Sequence, residues 1–245
     1  MKSTTPAPHV WILMPMRDKP TRETTAALTS NTGPHTLLTE RGKPVDDARN
    51  ALSVQALALD PLPEIVVLID DDAWWFPGAV EALVRELKAQ PSFAMLVGGF
   101  SKRIPHSPTV AYVRAGDASS ALILGQNCLP NTVVEIEECG LHACAVRTSA
   151  LRALGPAPFA LRSDKGEDLE FCARLREHGF KIGCIPSVTF AHVDDNVGAV
   201  FVPMMGPCEI ADNRLRPSQA KGVQTLRFDV GSARSFGTAS DALRA

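Results

Sequence analysis

Three adjacent aspartates, Asp70, Asp71 and Asp72, directly follow the apolar run of residues 65–69. Alternate side chains of an extended segment point the same way, so Asp70 and Asp72 share one side and Asp71 faces away. Two carboxylates held that close raise each other's pKa unless a cation compensates them. Mg²⁺ or Mn²⁺, bound by carboxylates together with substrate phosphates, is the natural compensator. The spacing predicts a divalent metal site, and the alternative is a solvated acidic turn in which one aspartate caps a helix.

A second acidic pair, Glu167 and Asp168, opens a predicted helix over residues 166–178. Asp164 and Glu167 fit a capping box, which is a structural role for Glu167. Asp168 is then free to accept a proton from an attacking hydroxyl group. A helix N-terminus stabilises the charged carboxylate and weakens it as a base, so only a poorly solvated site would offset that effect.

His192 follows the apolar run of residues 188–191 and precedes two aspartates. Taken alone, a histidine in this place is more often a structural or surface residue than a ligand. Neutral imidazole is nevertheless a common metal ligand. Together with the aspartate triplet, His192 would complete a mixed carboxylate and histidine site for Mn²⁺ or Mg²⁺.

The elements that must position these residues are short apolar runs alternating with helical patterns. This alternation is typical of βαβ units, and it predicts an α/β fold with a mainly parallel open sheet flanked by helices. Ligands of such sheets bind beyond the carboxyl ends of the strands, where the aspartate triplet falls. The predicted strands of the first half are residues 10–14, 36–39, 65–69 and 93–97, and the predicted helices are residues 45–59 and 78–89.

The second half is less regular. Residues 101–130 are predicted to be loops and short strands, residues 204–207 and 214–217 a flap over the site, and the residues after Gly231 a frayed end. The remaining predicted elements are strands over residues 133–137, 142–146, 181–185 and 188–191 and a helix over residues 148–154.

Length and charge narrow the classes of function. The chain has 245 residues and 26.3 kDa, which favours one domain, and its 25 basic and 27 acidic side chains give a net charge of −2. This balance argues against a general nucleic-acid binder or a membrane-surface protein. Six cysteines in apolar contexts without a C-x-x-C pair predict buried reduced thiols. The first apolar run is too short for a signal peptide or a membrane span, so we expect a cytoplasmic protein.

These pieces occur in a familiar order, and the chain resembles the GT-A fold glycosyltransferases, especially the broad family 2-like group. The resemblance covers roughly residues 10–195 and rests on the ordered set rather than on any single motif. The matching pieces are VWILMP ending at Pro15, RGKPV leading into Ala48-Arg49-Asn50, VVLIDDD, Gly140-Leu141-His142, the run GEDLEF from Gly166, and His192 beyond a strand.

The resemblance implies a single GT-A-like domain over residues 1–245, with a Rossmann-like nucleotide-binding half and a smaller, irregular acceptor-side part. It implies that Asp70 and Asp72, with His192, hold a divalent cation, Mn²⁺ or Mg²⁺, that bridges the diphosphate of a nucleotide sugar. Asp168 then matches the general base of an inverting transfer, and Glu167 orients it or the acceptor.

The resemblance also places Pro15, Arg17 and Arg49 near the nucleotide, with Asp70 and Asp71 on the same donor side. The implied partners are therefore a nucleoside-diphosphate sugar and an acceptor that the sequence does not identify. Neither nucleic acid nor a membrane is expected as a partner.

Two other classes of function remain open from the residues. Mg²⁺-dependent phosphatases and nucleotidyltransferases also place D-x-D after a strand, although the continuation Ala73-Trp74-Trp75 and the glycine-free loop after the first strand fit neither well. A GT-A-like domain that binds a nucleotide sugar without turnover is the third reading.

Overall fold

The computed structural model describes residues 9–104, 109–115, 118–122, 132–162, 164, 166–203, 208–211 and 214–217. Within these residues the chain has the predicted α/β fold, with a large central sheet and helices packed against it. The elements, in chain order, are β1 (Val10–Met16), α1 (Arg22–Ser30), β2 (His35–Arg41), α2 (Val45–Leu57), β3 (Ile65–Ile69), β4 (Ala73–Trp75), α3 (Ala79–Ala89), β5 (Phe93–Gly99), β6 (Ala111–Ala115), β7 (Ala118–Leu122), β8 (Val134–Ile136), β9 (Glu138–Cys139), β10 (Ala143–Arg147), α4 (Thr148–Leu154), α5 (Glu167–Glu177), β11 (Lys181–Asp194), β12 (Ala199–Phe201), β13 (Cys208–Ala211) and β14 (Arg214–Pro217).

The centre of the sheet has the strand order β2-β1-β3-β10-β5-β11. Strand β10 is antiparallel to both of its neighbours, and the other five strands run in one direction. All five residues of β3 are buried, as is typical of a strand covered on both faces. This burial fixes the strand that carries the aspartate triplet, because its apolar run has no solvated side to slip towards.

Further strands, β12, β13 and β14, extend the sheet beyond the C-terminal end of β11. Strand β12 is antiparallel to β11, and β13 and β14 continue outwards from it. The short strand β4 also pairs with β11, next to residues 190–192. Strands β7, β6 and β9 form a separate small sheet. Among the described residues, no helix is both long enough and apolar enough to cross a membrane.

The structure confirms most predicted elements and corrects several boundaries. The two strands predicted over residues 181–185 and 188–191 are one strand, β11, because a bulge between Ile185 and Thr189 interrupts the period without ending the pairing with β5. The strand predicted over residues 133–137 is confirmed as β8, and a further strand, β9, follows it after Glu137 and pairs with a different strand. Residues 214–217, predicted as part of a flap, form the outermost strand β14 instead. The other part of the predicted flap, residues 204–207, and the end after Gly231 lie outside the described residues.

Helix α1 and strand β4 are absent from the sequence-based prediction. The segment Arg22–Ser30 has no continuous apolar stripe, and its helix is set instead by the side chain of Thr21, which accepts a hydrogen bond from Thr24 N. Strand β4 contains Trp74 and Trp75, which are buried in the core. The prediction of buried reduced thiols is confirmed for the four cysteines whose side chains are described, which are Cys139, Cys144, Cys172 and Cys184.

Candidate functional site

Strand pairing brings two histidines to the aspartate triplet. In the β3–β10 pair Ala143 lies opposite Ile69, so His142 lies beside Asp70, whose backbone N–H donates to the His142 carbonyl at 3.0 Å. In the β4–β11 pair His192 lies opposite Ala73, directly after Asp72. The two histidines therefore reach the carboxyl end of β3 from the start of β10 and from β11.

Asp72, His142 and His192 form what we call the histidine cluster. One potential ligand atom from each of these residues lies within 4.8 Å of the others. His142 Nδ1 is 3.6 Å from Asp72 Oδ1 and 3.5 Å from Asp70 Oδ2. The two imidazole rings are 3.6 Å apart between centroids and tilted by 34°. Asp70 is not one of the three, but its carboxylate faces the same nitrogen of His142.

Backbone carbonyls determine which nitrogens of the two imidazoles carry protons. His142 Nε2 lies 3.1 Å from the Ala191 carbonyl, and His192 Nδ1 lies 2.5 Å from the Ser101 carbonyl. Because a carbonyl only accepts, each of these nitrogens donates, and the other nitrogen of each neutral ring has a free lone pair. Burial, together with the neighbouring His142, lowers the pKa of His192 to about 3, so this ring is neutral at physiological pH.

The surroundings of His142 Nδ1 test whether a cation fits the histidine cluster. This nitrogen is buried and has no hydrogen-bond partner among the described residues, although two carboxylates face it. A lone pair aimed at anionic oxygens is unfavourable, whereas a cation between them would bind all three groups. The residues present therefore fit a divalent metal ion.

Arg49 links the two acidic pairs of the site. Its side chain is only 3% exposed, and it donates to Asp70 Oδ1 at 2.7 Å and to Glu167 Oε1 at 2.5 Å. Burial disfavours the charged form of Asp70, but the positive charge of Arg49 outweighs this effect and lowers the pKa of the carboxyl to about 2. The predicted proximity of Arg49 to a nucleotide stays a prediction, since both of its terminal nitrogens bind carboxylates inside the protein.

The predicted capping box at the start of α5 is wrong. Gly166 is the N-cap residue, at φ +90°, and no side chain caps the helix. Glu167 turns instead to Arg49, because a buried guanidinium is a stronger partner for a carboxylate than an exposed backbone N–H. Glu167 thus has a structural partner, though a different one from the partner predicted.

Asp168 lies in a small, poorly solvated space. Its Oδ1 accepts a hydrogen bond from Leu169 N at 2.8 Å, and burial followed by the charge of Glu167 raises its pKa despite that bond. Two glycines border its carboxylate: a Cβ at Gly140 would lie 3.5 Å from Oδ2, and one at Gly166 would lie 3.3 Å from Oδ1. Burial therefore offsets the weakening effect of the helix N-terminus.

Phe100 connects the neighbourhood of Asp168 with the histidines. Its ring centroid is 5.2 Å from that of His142 and 5.7 Å from that of His192. A Cβ on Gly140 would lie 2.8 Å from Phe100 Cζ, so only a glycine at that position leaves room for the ring. Gly140 therefore lies between Phe100, which packs on the histidine cluster, and the carboxylate of Asp168.

The remaining predicted residues lie around the ends of β1 and β3. Asp71 faces away from its neighbours, as expected, and its Oδ2 accepts from the backbone N–H of Arg17 at 3.0 Å. Its carbonyl accepts from Thr21 N at 2.8 Å, which ties the loop after β1 to the end of β3. Pro15 is buried within β1, and the Arg17 side chain is exposed beside this loop.

The sequence-based prediction missed two groups at the site. His142 was part of a recognised motif but had no ligand role, and its position depends on the antiparallel β10, which local periodicity does not reveal. Arg103 forms an ion pair with Asp72 Oδ2, the oxygen that does not face His142. No signal in the irregular stretch around Arg103 predicts this contact.

Comparison with known proteins supports the fold alone. No family profile and no curated protein match the chain. The crystal structure of A197 from STIV is similar with a TM-score of 0.61 and 14% identity, covering 89% of this chain and 99% of that one. The crystal structure of GalNAc-T7 with UDP, GalNAc and Mn²⁺ has a TM-score of 0.46 and 13% identity, covering 69% of this chain and 33% of that one. The chain therefore shares its fold with A197.

Proposed function

We propose that this chain is a metal-dependent glycosyltransferase of the GT-A type, which transfers a sugar from a nucleoside-diphosphate sugar to an acceptor hydroxyl group. The observation that carries the proposal is the pairing of two acidic sites through one buried arginine. Arg49 binds one carboxylate of each pair, Asp70 and Glu167. Asp168 and Asp72 Oδ1, the oxygen of Asp72 that Arg103 does not bind, are left for ligands.

The cation side of the proposed site consists of Asp70, Asp72 and His192. These residues would hold Mn²⁺ or Mg²⁺, which when bound neutralises charge on the leaving nucleoside diphosphate. Arg49 keeps Asp70 ionised and fixes its orientation, since it lowers the pKa of that carboxyl and occupies only one of its oxygens. The other oxygen, Oδ2, stays on the side of His142.

The acceptor side consists of Asp168 and Glu167. Asp168 would take the proton of the acceptor hydroxyl as that oxygen attacks the anomeric carbon, which gives inversion. A pKa raised by burial makes this carboxylate a better base than an exposed aspartate. Glu167 is held by Arg49 and would orient the acceptor or Asp168.

The nucleotide would lie near the ends of β1 and β3. Pro15 and Arg17 border this edge, Asp71 holds the loop that carries Arg17, and Asp70 and Arg49 lie beneath it. Arg17 has an exposed side chain and is the basic group best placed for a phosphate.

The contacts of Asp70 weigh against a phosphatase that uses an aspartate nucleophile. Asp70 would be the nucleophile of such an enzyme, whereas Arg49 binds its Oδ1 and lowers the pKa of its carboxyl, which weakens it as a nucleophile. Asp168 also has no counterpart in such a reaction. The transferase accounts for both acidic pairs.

The test is the thermal stability of the purified protein with UDP, GDP, CDP or ADP, each with and without Mn²⁺. A ligand that binds only the folded state raises the melting temperature by mass action. We expect one nucleotide to stabilise the protein only with Mn²⁺, and Asp72→Ala to abolish this shift. Asp47→Ala, on the exposed side of α2, is the matched control and should keep it. The proposal fails if no nucleotide shifts the wild-type protein with Mn²⁺.

A further inference from the structure

The unpartnered nitrogen of His142 is not used by the proposed function, whose ligands are Asp70, Asp72 and His192. We infer that His142 is itself a metal ligand, and that with Asp72 and His192 it forms a nitrogen-rich centre for a transition metal such as Mn²⁺, Co²⁺ or Zn²⁺, in preference to Mg²⁺. The inference deepens the metal part of the proposed function and rests on it only for the role of the bound ion in transfer.

The first step is the protonation pattern of His142. Its Nε2 donates to the Ala191 carbonyl at 3.1 Å, so its lone pair is on Nδ1. That Nδ1 is buried, has no hydrogen-bond partner among the described residues, and faces Asp70 Oδ2 and Asp72 Oδ1 at 3.5 and 3.6 Å. These distances exceed the roughly 2.7–3.2 Å of an N–H···O hydrogen bond. A proton on Nδ1 would draw the carboxylates closer, whereas a metal ion accounts for a gap between them.

The second step is the match between the two histidines. Histidines that bind metals almost always donate their other ring nitrogen to a carbonyl or carboxylate, which fixes the tautomer and the ring orientation. His142 does this with Ala191, and His192 does it with Ser101 at 2.5 Å. The rings lie side by side at 3.6 Å, and Phe100 packs on both. Both imidazoles are thus held as preoriented ligands.

The third step is the choice of ion. Mg²⁺ binds oxygen ligands and retains water, while imidazole nitrogen suits Mn²⁺, Co²⁺ and Zn²⁺. A site with two imidazoles and one carboxylate therefore binds the transition metals more tightly. Arg103 pairs with Asp72 through Oδ2, so Oδ1, which faces His142, is the oxygen left for the ion.

The experiment measures Mn²⁺ binding to the protein without nucleotide, both by titration and by electron spin echo modulation, which detects imidazole nitrogen bonded to Mn²⁺. We expect two coupled imidazoles in the wild-type protein and one in His142→Gln, with affinity reduced at least about tenfold. His178→Gln is the matched control, because His178 is an exposed histidine that also contacts a backbone carbonyl, and it should behave as wild type. Mg²⁺ should compete for the site at least about tenfold more weakly than Co²⁺.

Three results would overturn the inference: Mn²⁺ bound without imidazole coupling, both couplings and the wild-type affinity retained in His142→Gln, or no Mn²⁺ bound by the wild-type protein. The count of imidazoles in the wild-type protein decides the matter even if His142→Gln does not fold. The proposed function fails separately. Two coupled imidazoles without any nucleotide-dependent stabilisation would support the metal centre and reject the transferase, whereas nucleotide binding supported equally by Mg²⁺ without imidazole coupling would do the reverse.

Discussion

The end of β3 and the start of α5 carry similar acidic pairs, yet the two regions differ in what surrounds the carboxylate that Arg49 does not bind. In each region Arg49 binds one member, Asp70 in the first and Glu167 in the second. Asp72 then faces His142 and His192, whereas the carboxylate of Asp168 is bordered by glycines. Imidazole lone pairs beside a carboxylate favour binding of a cation. Burial of a carboxylate raises its pKa and so favours binding of a proton. In the proposed function, the β3 region therefore holds the cation and the α5 region accepts the proton.

The largest effect should come from removing the group that the two regions share. Arg49→Met leaves Asp70 and Glu167 without their common partner, and we expect a loss of about 3–5 kcal/mol in the free energy of unfolding, measured with urea. Adding Asp70→Asn and Glu167→Gln should recover much of this loss. Arg85→Met, which removes an exposed pair with Glu86, is the control and should cost under about 1 kcal/mol. A similar cost for both arginines would show that Arg49 does not join the two regions.

Asp168→Asn should separate the α5 region from the β3 region. We expect release of nucleoside diphosphate from the donor sugar to fall by about 10²–10⁴-fold, because the variant has no base. Affinity for the tightest-binding nucleoside diphosphate should stay unchanged. Full activity in this variant would remove Asp168 from the base role.

The same variant should be more stable than the wild-type protein at pH 7. Burial raises the pKa of Asp168 in the folded state, so at a pH above that value the ionised carboxylate favours unfolding, and asparagine lacks this cost. Glu167, Arg49 and Tyr112 also face this group, and only the first disfavours its charge through repulsion that asparagine relieves. The melting temperature should rise by about 1–3 °C at pH 7. The difference should vanish below about pH 4, where the carboxyl is protonated in both states.

Gly140→Ala should weaken the histidine cluster more than it weakens the fold. The new Cβ would overlap Phe100, which packs on both histidines, so we expect Mn²⁺ affinity to fall severalfold at a stability cost of about 1–3 kcal/mol. Gly183→Ala is the matched control, since its Cβ would meet side chains at 2.8–2.9 Å far from the site. Equal losses of Mn²⁺ affinity in the two variants would contradict the role given to Phe100.

Asp71→Asn should have the smallest effect. Its carboxylate accepts from Arg17 N, and an asparagine oxygen can replace that acceptor. We expect a change of under about 1 kcal/mol in stability and no change in Mn²⁺ affinity, measured by titration. A large loss of Mn²⁺ affinity would mean that Asp71 is also a ligand, and that the three aspartates are not divided as their side-chain directions indicate.

The fold was predictable from sequence wherever the apolar pattern of one segment determines its secondary structure. The apolar run of β3 and the spaced apolar residues of α3 predict a strand and a helix because burial decides both. Helix α1 depends on a single cap at Thr21 and on its packing, and the antiparallel insertion of β10 depends on pairing with residues far along the chain. Neither the helix α1 nor the antiparallel pairing of β10 produces a periodic pattern of apolar residues in the local sequence.

The candidate site was predictable in part for the same reason. Asp72 follows the end of β3, and His192 follows the end of a predicted strand. Ligands of open α/β sheets bind beyond strand ends, so this rule places both residues near a ligand. His142 becomes a neighbour of Asp70 only through the register of β10, and Arg49 reaches Glu167 across 118 positions of sequence. The capping box failed at Glu167 because that distant arginine competes with the local backbone.

The most direct test of the division between the two regions is the affinity for the preferred nucleoside diphosphate with Mn²⁺, measured by calorimetry on two variants. Asp72→Asn should lose at least about tenfold in affinity, because it removes a carboxylate from the cation side. Asp168→Asn should bind as the wild-type protein does, because a base for the acceptor does not hold the donor. Equal affinity in both variants, or a greater loss in Asp168→Asn, would contradict the account.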